Sequence, residues 1–395
     1  MTAGGLRGSY DVVVVGLGGI GSAAAYRLAT RSGVRVLGLE QFELGHDRGA
    51  SQDRSRIIRR SYHRREYVEL AGDAFDAWRE VEAAAGERIL TITGGLDLAP
   101  PGAAESIDDY AAAMTAAGVS FEELSGEEVS ARWPAWRLPS GTRALFQADA
   151  GIVDPQVGNA ANQRLARTAG ATLLEHTRVS ALQDHGGEVV LETASGRVTA
   201  GAVIVAADAW TNQLLGPLGR TLPLTVTLEQ VTWYEPDGSA ADVFTPSRFP
   251  IWIWLDQPSF YGFPSHAGAG PKAGQDVGGR VTTADERSFA PDPEALARLE
   301  RFLGLQLPAM TGRRVRTKTC LYTLTPDRDF VLDRLPEAPG VVVALGAAHG
   351  YKFAAHFGRI LAELALDTTR RPPAPELAMF AIDRPALRDS TPPTG

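Results

Sequence analysis

The sequence predicts an α/β plus α+β protein: a parallel-sheet nucleotide-binding unit, discontinuous along the chain, with an antiparallel-sheet unit inserted into it. Three observations lead there. Apolar runs of the kind buried on both faces of a parallel sheet recur in separated blocks, at 11–15, 202–207 and 341–345. From 222 to 281 the pattern changes to alternation (Val226-Thr227-Leu228, Val231-Thr232-Trp233, Ile251-Trp252-Ile253, Phe260-Tyr261-Gly262), as in half-buried antiparallel strands. The 395 residues also exceed the roughly 250–300 that one core supports. The division that follows gives 1–88, 146–218 and 316–395 to the nucleotide-binding domain. Residues 89–145 and 219–315 go to the inserted domain.

The elements follow in order. Asp11-Val12-Val13-Val14-Val15 runs into Gly16-Leu17-Gly18-Gly19-Ile20-Gly21 and then a small-residue helix start, Ser22-Ala23-Ala24-Ala25. This is a Rossmann-type turn. Gly16 permits the tight turn, Gly18 lets backbone approach a pyrophosphate, and Gly21 lets helix pack close to strand. Free N–H groups and the helix dipole stabilise phosphate charge there. A second strand, 34–39, ends in Glu40, placed to accept from the ribose hydroxyls of a dinucleotide and to repel a 2′-phosphate. Helical spacing holds from 67 to 82 (Tyr67, Leu70, Ala71, Phe75, Trp78), and 89–98 reads as strand, glycine pair, strand. Helices at 103–117 and 125–132 stop at Trp133-Pro134. A helix runs through 169, followed by strands at 172–175 and 177–179, a hairpin at 189–192 and 197–199, and a helix after Asp208-Ala209-Trp210. A strand at 315–324, a buried strand at 341–345 and a helix at 357–366 complete the chain.

Composition narrows the function. A net charge of −8 argues against nucleic-acid binding as the main activity. No apolar run approaches the roughly 18 residues of a membrane span. Residues 1–9 lack an apolar signal core and 391–395 carry no recognisable address, so the cytoplasm is the default expectation. One cysteine, Cys320, excludes an internal disulfide framework and any multi-cysteine metal site. The basic segment Asp53-Arg54-Ser55-Arg56-Ile57-Ile58-Arg59-Arg60, continuing to His63-Arg64-Arg65, reads either as a solvated helix face, above all for Arg60, Arg64 and Arg65, or as groups facing a phosphate or carboxylate.

Taken alone, Cys320 is a buried small hydrophobe by base rate. Its setting changes the weighing. The turn with Glu40, Ser55-Arg56-Ile57-Ile58-Arg59, Tyr261-Gly262-Phe263-Pro264 with Lys272, Cys320-Leu321-Tyr322-Thr323 with Pro326-Asp327, and His349-Gly350-Tyr351-Lys352-Phe353 occur together. In these the chain resembles, over nearly its whole length, the monomeric sarcosine oxidase family of amine-oxidising flavoproteins, which includes N-methyltryptophan and pipecolate oxidases.

The resemblance implies FAD attached covalently through Cys320, an amino-acid substrate with O2 as co-substrate, and a monomer. It places Arg56 against the flavin ring beside Ser55, and Lys272 near flavin N5, where it promotes reaction with O2. Arg59 and Lys352 bind the substrate carboxylate, and Tyr261 and Tyr322 form cavity walls. Val179 lies near the adenine and Gly350 makes a backbone contact to the flavin. Basic neighbours of Cys320 favour the thiolate that would attack the cofactor. The chain departs from the pattern at Ser51 and Gln52, where histidines are frequent, and at Asp276, another histidine position. Asp276 either orients Lys272 or meets a polar group of the substrate. Trp252 and Trp254 lie on a strand expected near the cavity. The implied activity is oxidation of a secondary, N-methyl or cyclic, amino acid to an imine with release of hydrogen peroxide. A dehydrogenase using another acceptor and a non-catalytic flavin-binding protein are the alternatives; Lys272 argues against the first and the carboxylate pair against the second.

Overall fold

The computed structural model describes residues 8–367 and 375–388. The C-terminal 391–395, and all of 1–9 except its last two residues, lie outside them. The fold class is as expected. An eight-stranded sheet is built around Ser9–Val15, which pairs in parallel with Val36–Leu39 on one side and Gly196–Val205 on the other. Thr172–Leu174 extends it in parallel beyond Val36–Leu39, and Ala338–Leu345 runs parallel to the end of Gly196–Val205. The helices Gly19–Ala29, Pro155–Thr168, Arg65–Ala85 and Ala354–Leu366 pack against one another beside this sheet. Val12, Val13 and Val14 have no exposed surface. Burial of each such side chain stabilises the fold by about 1.5–3 kcal/mol, which is why the run tolerates no polar alternation.

The second sheet has nine strands, antiparallel except where Gly95–Ala99 and Ile251–Trp254 run side by side in parallel. Thr225–Glu235 is its spine, flanked by Lys272–Asp276 and Arg313–Leu324. A small antiparallel sheet of Arg56–Ile58, Gly151–Val153 and Leu90–Ile92 completes the strand framework. Trp252 and Trp254 face away from the cavity into an aromatic core with Trp136 and Phe302, while Ile253 between them faces the cavity. The strand reaches the cavity as expected, but the two-residue period brings Ile253 and not the two tryptophans to it.

Several boundaries differ from expectation, each for a local reason. The expected hairpin arm at 197–199 and buried strand at 202–207 are one strand, Gly196–Val205, which crosses from the hairpin edge to the core. The helix expected from 103 begins at Ile107, where Ser106 caps it by accepting from the Asp109 N–H. Arg56–Ile58 is a strand and the next helix starts only at Arg65, so residues 53–60 form no helix face, while Arg65 is exposed at the helix start. Arg313–Leu324 hydrogen-bonds along its length to Thr225–Glu235. A division at 316 therefore falls inside a strand of the nine-stranded sheet.

Candidate functional site

One continuous cavity of about 850 Å³ opens between the two large sheets, lined by the glycine turn, Glu40 and Val179 at one end and Tyr322 and Lys352 at the other. At the turn Gly16 has φ +89°, and a Cβ there would lie 2.4 Å from the Ala206 carbonyl oxygen. A Cβ on Gly21 would lie 1.8 Å from the Gly16 carbonyl oxygen, so only glycine lets the helix close on the strand. Gly18 is the residue before the helix and lines the cavity. Ser51 Oγ accepts from the Gly19 N–H at 2.9 Å, which ties the loop of the basic run to the helix start. The buried Glu40 carboxylate accepts from the Leu17 and Phe42 N–H groups at 2.9 and 3.1 Å. Burial raises its pKa, but His46 and these N–H groups outweigh that and leave it below the usual carboxylate range.

Midway along the cavity stand Ser55, Arg56, Cys320 and Lys272. Arg56 is held by donating to the carbonyl oxygens of Ser55 and Ala50 at 2.9 and 2.8 Å. Lys272 is 2% exposed and begins a strand, not a surface loop. Its Nζ donates to Asp53 Oδ2 at 2.6 Å and to the Ser55 carbonyl oxygen at 3.0 Å, and sits 4.2 Å from the centre of the Phe263 ring. Burial lowers its pKa to about 8, against the pull of Asp53. Burial also pushes the Cys320 thiol up to about 11, despite Arg56, Arg287 and Lys272 nearby. Sequence proximity suggested an already favoured thiolate; burial reverses that. Gln52 donates through Nε2 to the Thr319 carbonyl oxygen at 2.7 Å, bracing the strand one residue before Cys320.

At the far end, Arg59 pairs with the buried Asp97 at 2.5 Å and lies over the Tyr62 and Tyr110 rings, at 4.8 and 5.6 Å. Its buried Nε has no hydrogen-bond partner among the described residues. Lys352 has no carboxylate within ion-pair distance among the described residues, and its Nζ lies 5.7 Å from the centre of Tyr62. Burial, with Arg59 and Arg328 adding to it, lowers its pKa to about 7. The hydroxyls of Tyr261 and Tyr322 are 3.4 Å apart. Asp276 makes two contacts with Arg328, at 3.0 and 3.3 Å, and none with Lys272. Of the two roles open for it, orienting Lys272 is excluded by this geometry. His349 is kept neutral by burial and by Lys352, and its Nε2 lies 2.9 Å from the Arg328 carbonyl oxygen. A carbonyl only accepts, so the proton is on Nε2. Gly350 lines the cavity beside it.

All the expected site residues except Gly21 thus line one cavity; Gly21 instead packs the helix against the Gly16 carbonyl. Sequence reasoning missed Asp53, Asp97 and Arg328. Arg328 directly follows the Pro326-Asp327 pair that the motif contained, and could have been found there; Asp97 gave no signal. No group of three or more His, Cys, Asp or Glu among the described residues is arranged to hold a metal. No described helix is long and apolar enough to cross a membrane.

The family model described as FAD dependent oxidoreductase (DAO) matches residues 11–364. The chain belongs to this family. Monomeric sarcosine oxidase of Bacillus sp. (strain B-0618) is 34% identical over 387 residues, covering 96% of this chain and 97% of the relative. N-methyl-L-tryptophan oxidase of Yersinia pestis (strain Pestoides F) is 28% identical, covering 95% and 99%. Among solved structures, NikD, described as an unusual amino acid oxidase essential for nikkomycin biosynthesis, superposes with a TM-score of 0.84 at 30% identity, covering 94% and 97%. The resemblance expected from the motifs is borne out, and the chain is an FAD-dependent oxidoreductase. The glycine cradle, which side chains would fill, and the cavity running from it past Cys320 fit that dinucleotide.

Proposed function

We propose that the chain oxidises a carboxylate-bearing secondary amine, an N-methyl or cyclic amino acid, to the imine, with O2 reduced to hydrogen peroxide. The observation that carries this is the arrangement at the cavity's far end. Among the described residues Lys352 is a half-buried cation with no carboxylate within ion-pair distance, and Arg59 beside it keeps a buried donor without a partner. Burying such groups unsatisfied is costly, and a substrate carboxylate satisfies both. FAD supplies the two-electron chemistry; the side chains hold, orient and exclude water. Arg59 and Lys352 fix the carboxylate, so that the carbon beside nitrogen is presented to the cofactor. Tyr261 and Tyr322 wall the space between clamp and cofactor. Lys272 holds positive charge where O2 gains electrons. Relatives named for sarcosine and N-methyl-L-tryptophan support the substrate class. The expected test result is peroxide from N-methyl or cyclic amino acids and none from their methyl esters. Equal rates with acids and esters would remove the clamp from the mechanism.

Covalent attachment through Cys320 belongs to the same proposal. Cys320 is the chain's sole thiol and lines the cavity. Because the resting thiol is disfavoured as thiolate, attachment is expected to need the cofactor in place and to proceed faster at alkaline pH. Acid-precipitated wild type should stay yellow, and Cys320→Ser should release its FAD to the supernatant. A colourless wild-type precipitate contradicts the linkage.

A further inference from the structure

Asp53 is a buried carboxylate that neither the cofactor cradle nor the carboxylate clamp uses. Its φ is +83°, in the left-handed region that favours glycine. A side chain kept in such a conformation points to a use for that side chain. Its carboxylate, 5% exposed, lies 2.6 Å from Lys272 Nζ and 3.6 Å from Arg56 Nη1. The chain has three lysines among its 39 basic residues, Lys272, Lys318 and Lys352, and all three line the cavity. A guanidinium stays charged everywhere, whereas an ammonium answers to its surroundings. The charge of Lys272 and Lys352 is therefore set by their neighbours.

We infer, building on the oxygen-reaction role proposed for Lys272, that Asp53 is a positioning residue whose carboxylate keeps the Lys272 ammonium charged and fixed in place. Three influences meet at Lys272. Burial disfavours the cation, Asp53 favours it by charge and hydrogen bond, and Arg56 disfavours it. The Ser55 carbonyl and the Phe263 and Trp233 rings, at 4.2 and 5.3 Å, favour a cation without supplying a full charge. Asp53 is the carboxylate within ion-pair distance of Lys272, so without it the ammonium faces Arg56 uncompensated. Asp53 itself stays ionised: burial opposes this, but Lys272 and Arg56 bring its pKa below the ordinary value.

Three lysines make the test direct. In FAD-loaded protein carrying ¹³C-lysine, the Lys272 side-chain signal is identified by its loss in Lys272→Met and followed against pH. Wild type should titrate near 8. In Asp53→Asn the midpoint should fall by about one pH unit or more, as expected for loss of a contacting opposite charge. The pH midpoint for reaction of the reduced enzyme with O2 should fall with it, which a merely structural role would not produce. Asp53→Gly suits the left-handed backbone and should give the same shift, guarding against misfolding of the asparagine variant. An unchanged Lys272 midpoint in folded Asp53→Gly overturns the inference. Normal reoxidation in Lys272→Met overturns instead the oxygen role of Lys272, and the two failures are read from different variants.

Discussion

Reaction of the reduced enzyme with O2 is expected to slow by about 10²–10³-fold in Lys272→Met, the range typical for removing one charge-stabilising group from a water-poor site. Reduction of the cofactor by substrate should change far less. The asymmetry follows from where charge develops. O2 gains negative charge as it is reduced, and under the oxygen role proposed for Lys272 the buried ammonium between Phe263 and Asp53 meets it. Methionine keeps the length and apolar stem of lysine without the charge. Stopped-flow measurement of both half-reactions decides. Equal slowing of the two would make Lys272 a support of the site only, and normal reoxidation would exclude it as the oxygen-activating residue.

The second large effect concerns the clamp. Arg59→Ala and Lys352→Met should each weaken binding of a carboxylate inhibitor by about 2–5 kcal/mol, as for truncating one partner of a desolvated charge pair. The variants should differ in other ways. Arg59→Ala also strands Asp97, whose carboxyl is already lifted above its usual range by burial even beside Arg59. An uncompensated buried charge costs about 3–5 kcal/mol of stability, so this variant should melt well below wild type. Lys352 carries no such partner and should cost little stability.

Lys352 should instead impose a pH dependence. Its folded-state pKa is lowered to about 7, so the cation is fully present below that value and lost as pH rises through it. Carboxylate affinity of wild type should therefore decline above about pH 7, and Lys352→Met should flatten the decline. Calorimetric titration of both variants across pH checks this; unchanged affinity in both would remove the pair from the site.

The nucleotide half of the fold was legible because its chemistry is written in neighbouring residues. The Val12–Val15 run, the glycines whose Cβ positions are occupied by backbone, and Glu40 all act within one strand–turn–helix unit. The long-range pairing was less legible. Arg313–Leu324 reads as another strand of the nucleotide unit until its register with Thr225–Glu235 is seen. Trp252 and Trp254 look like cavity residues in sequence, and only the pleat shows that Ile253 has that place. Residues expected at the cofactor and substrate, Asp276 among them, were found through motifs, whereas Asp53 and Asp97 were not. Asp53 and Asp97 meet partners 219 and 38 residues away. Nothing in the local pattern of an aspartate says which cation it will meet.

The central claim, an oxidase acting on carboxylate-bearing secondary amines, is tested most directly by mixing the yellow enzyme anaerobically with N-methyl and cyclic amino acids and then admitting O2. The expected result is bleaching by a member of this class, followed by return of colour with peroxide formed in equal amount to the bleached cofactor. No bleaching by any of them, or colour that returns only with an added electron carrier, would contradict the account.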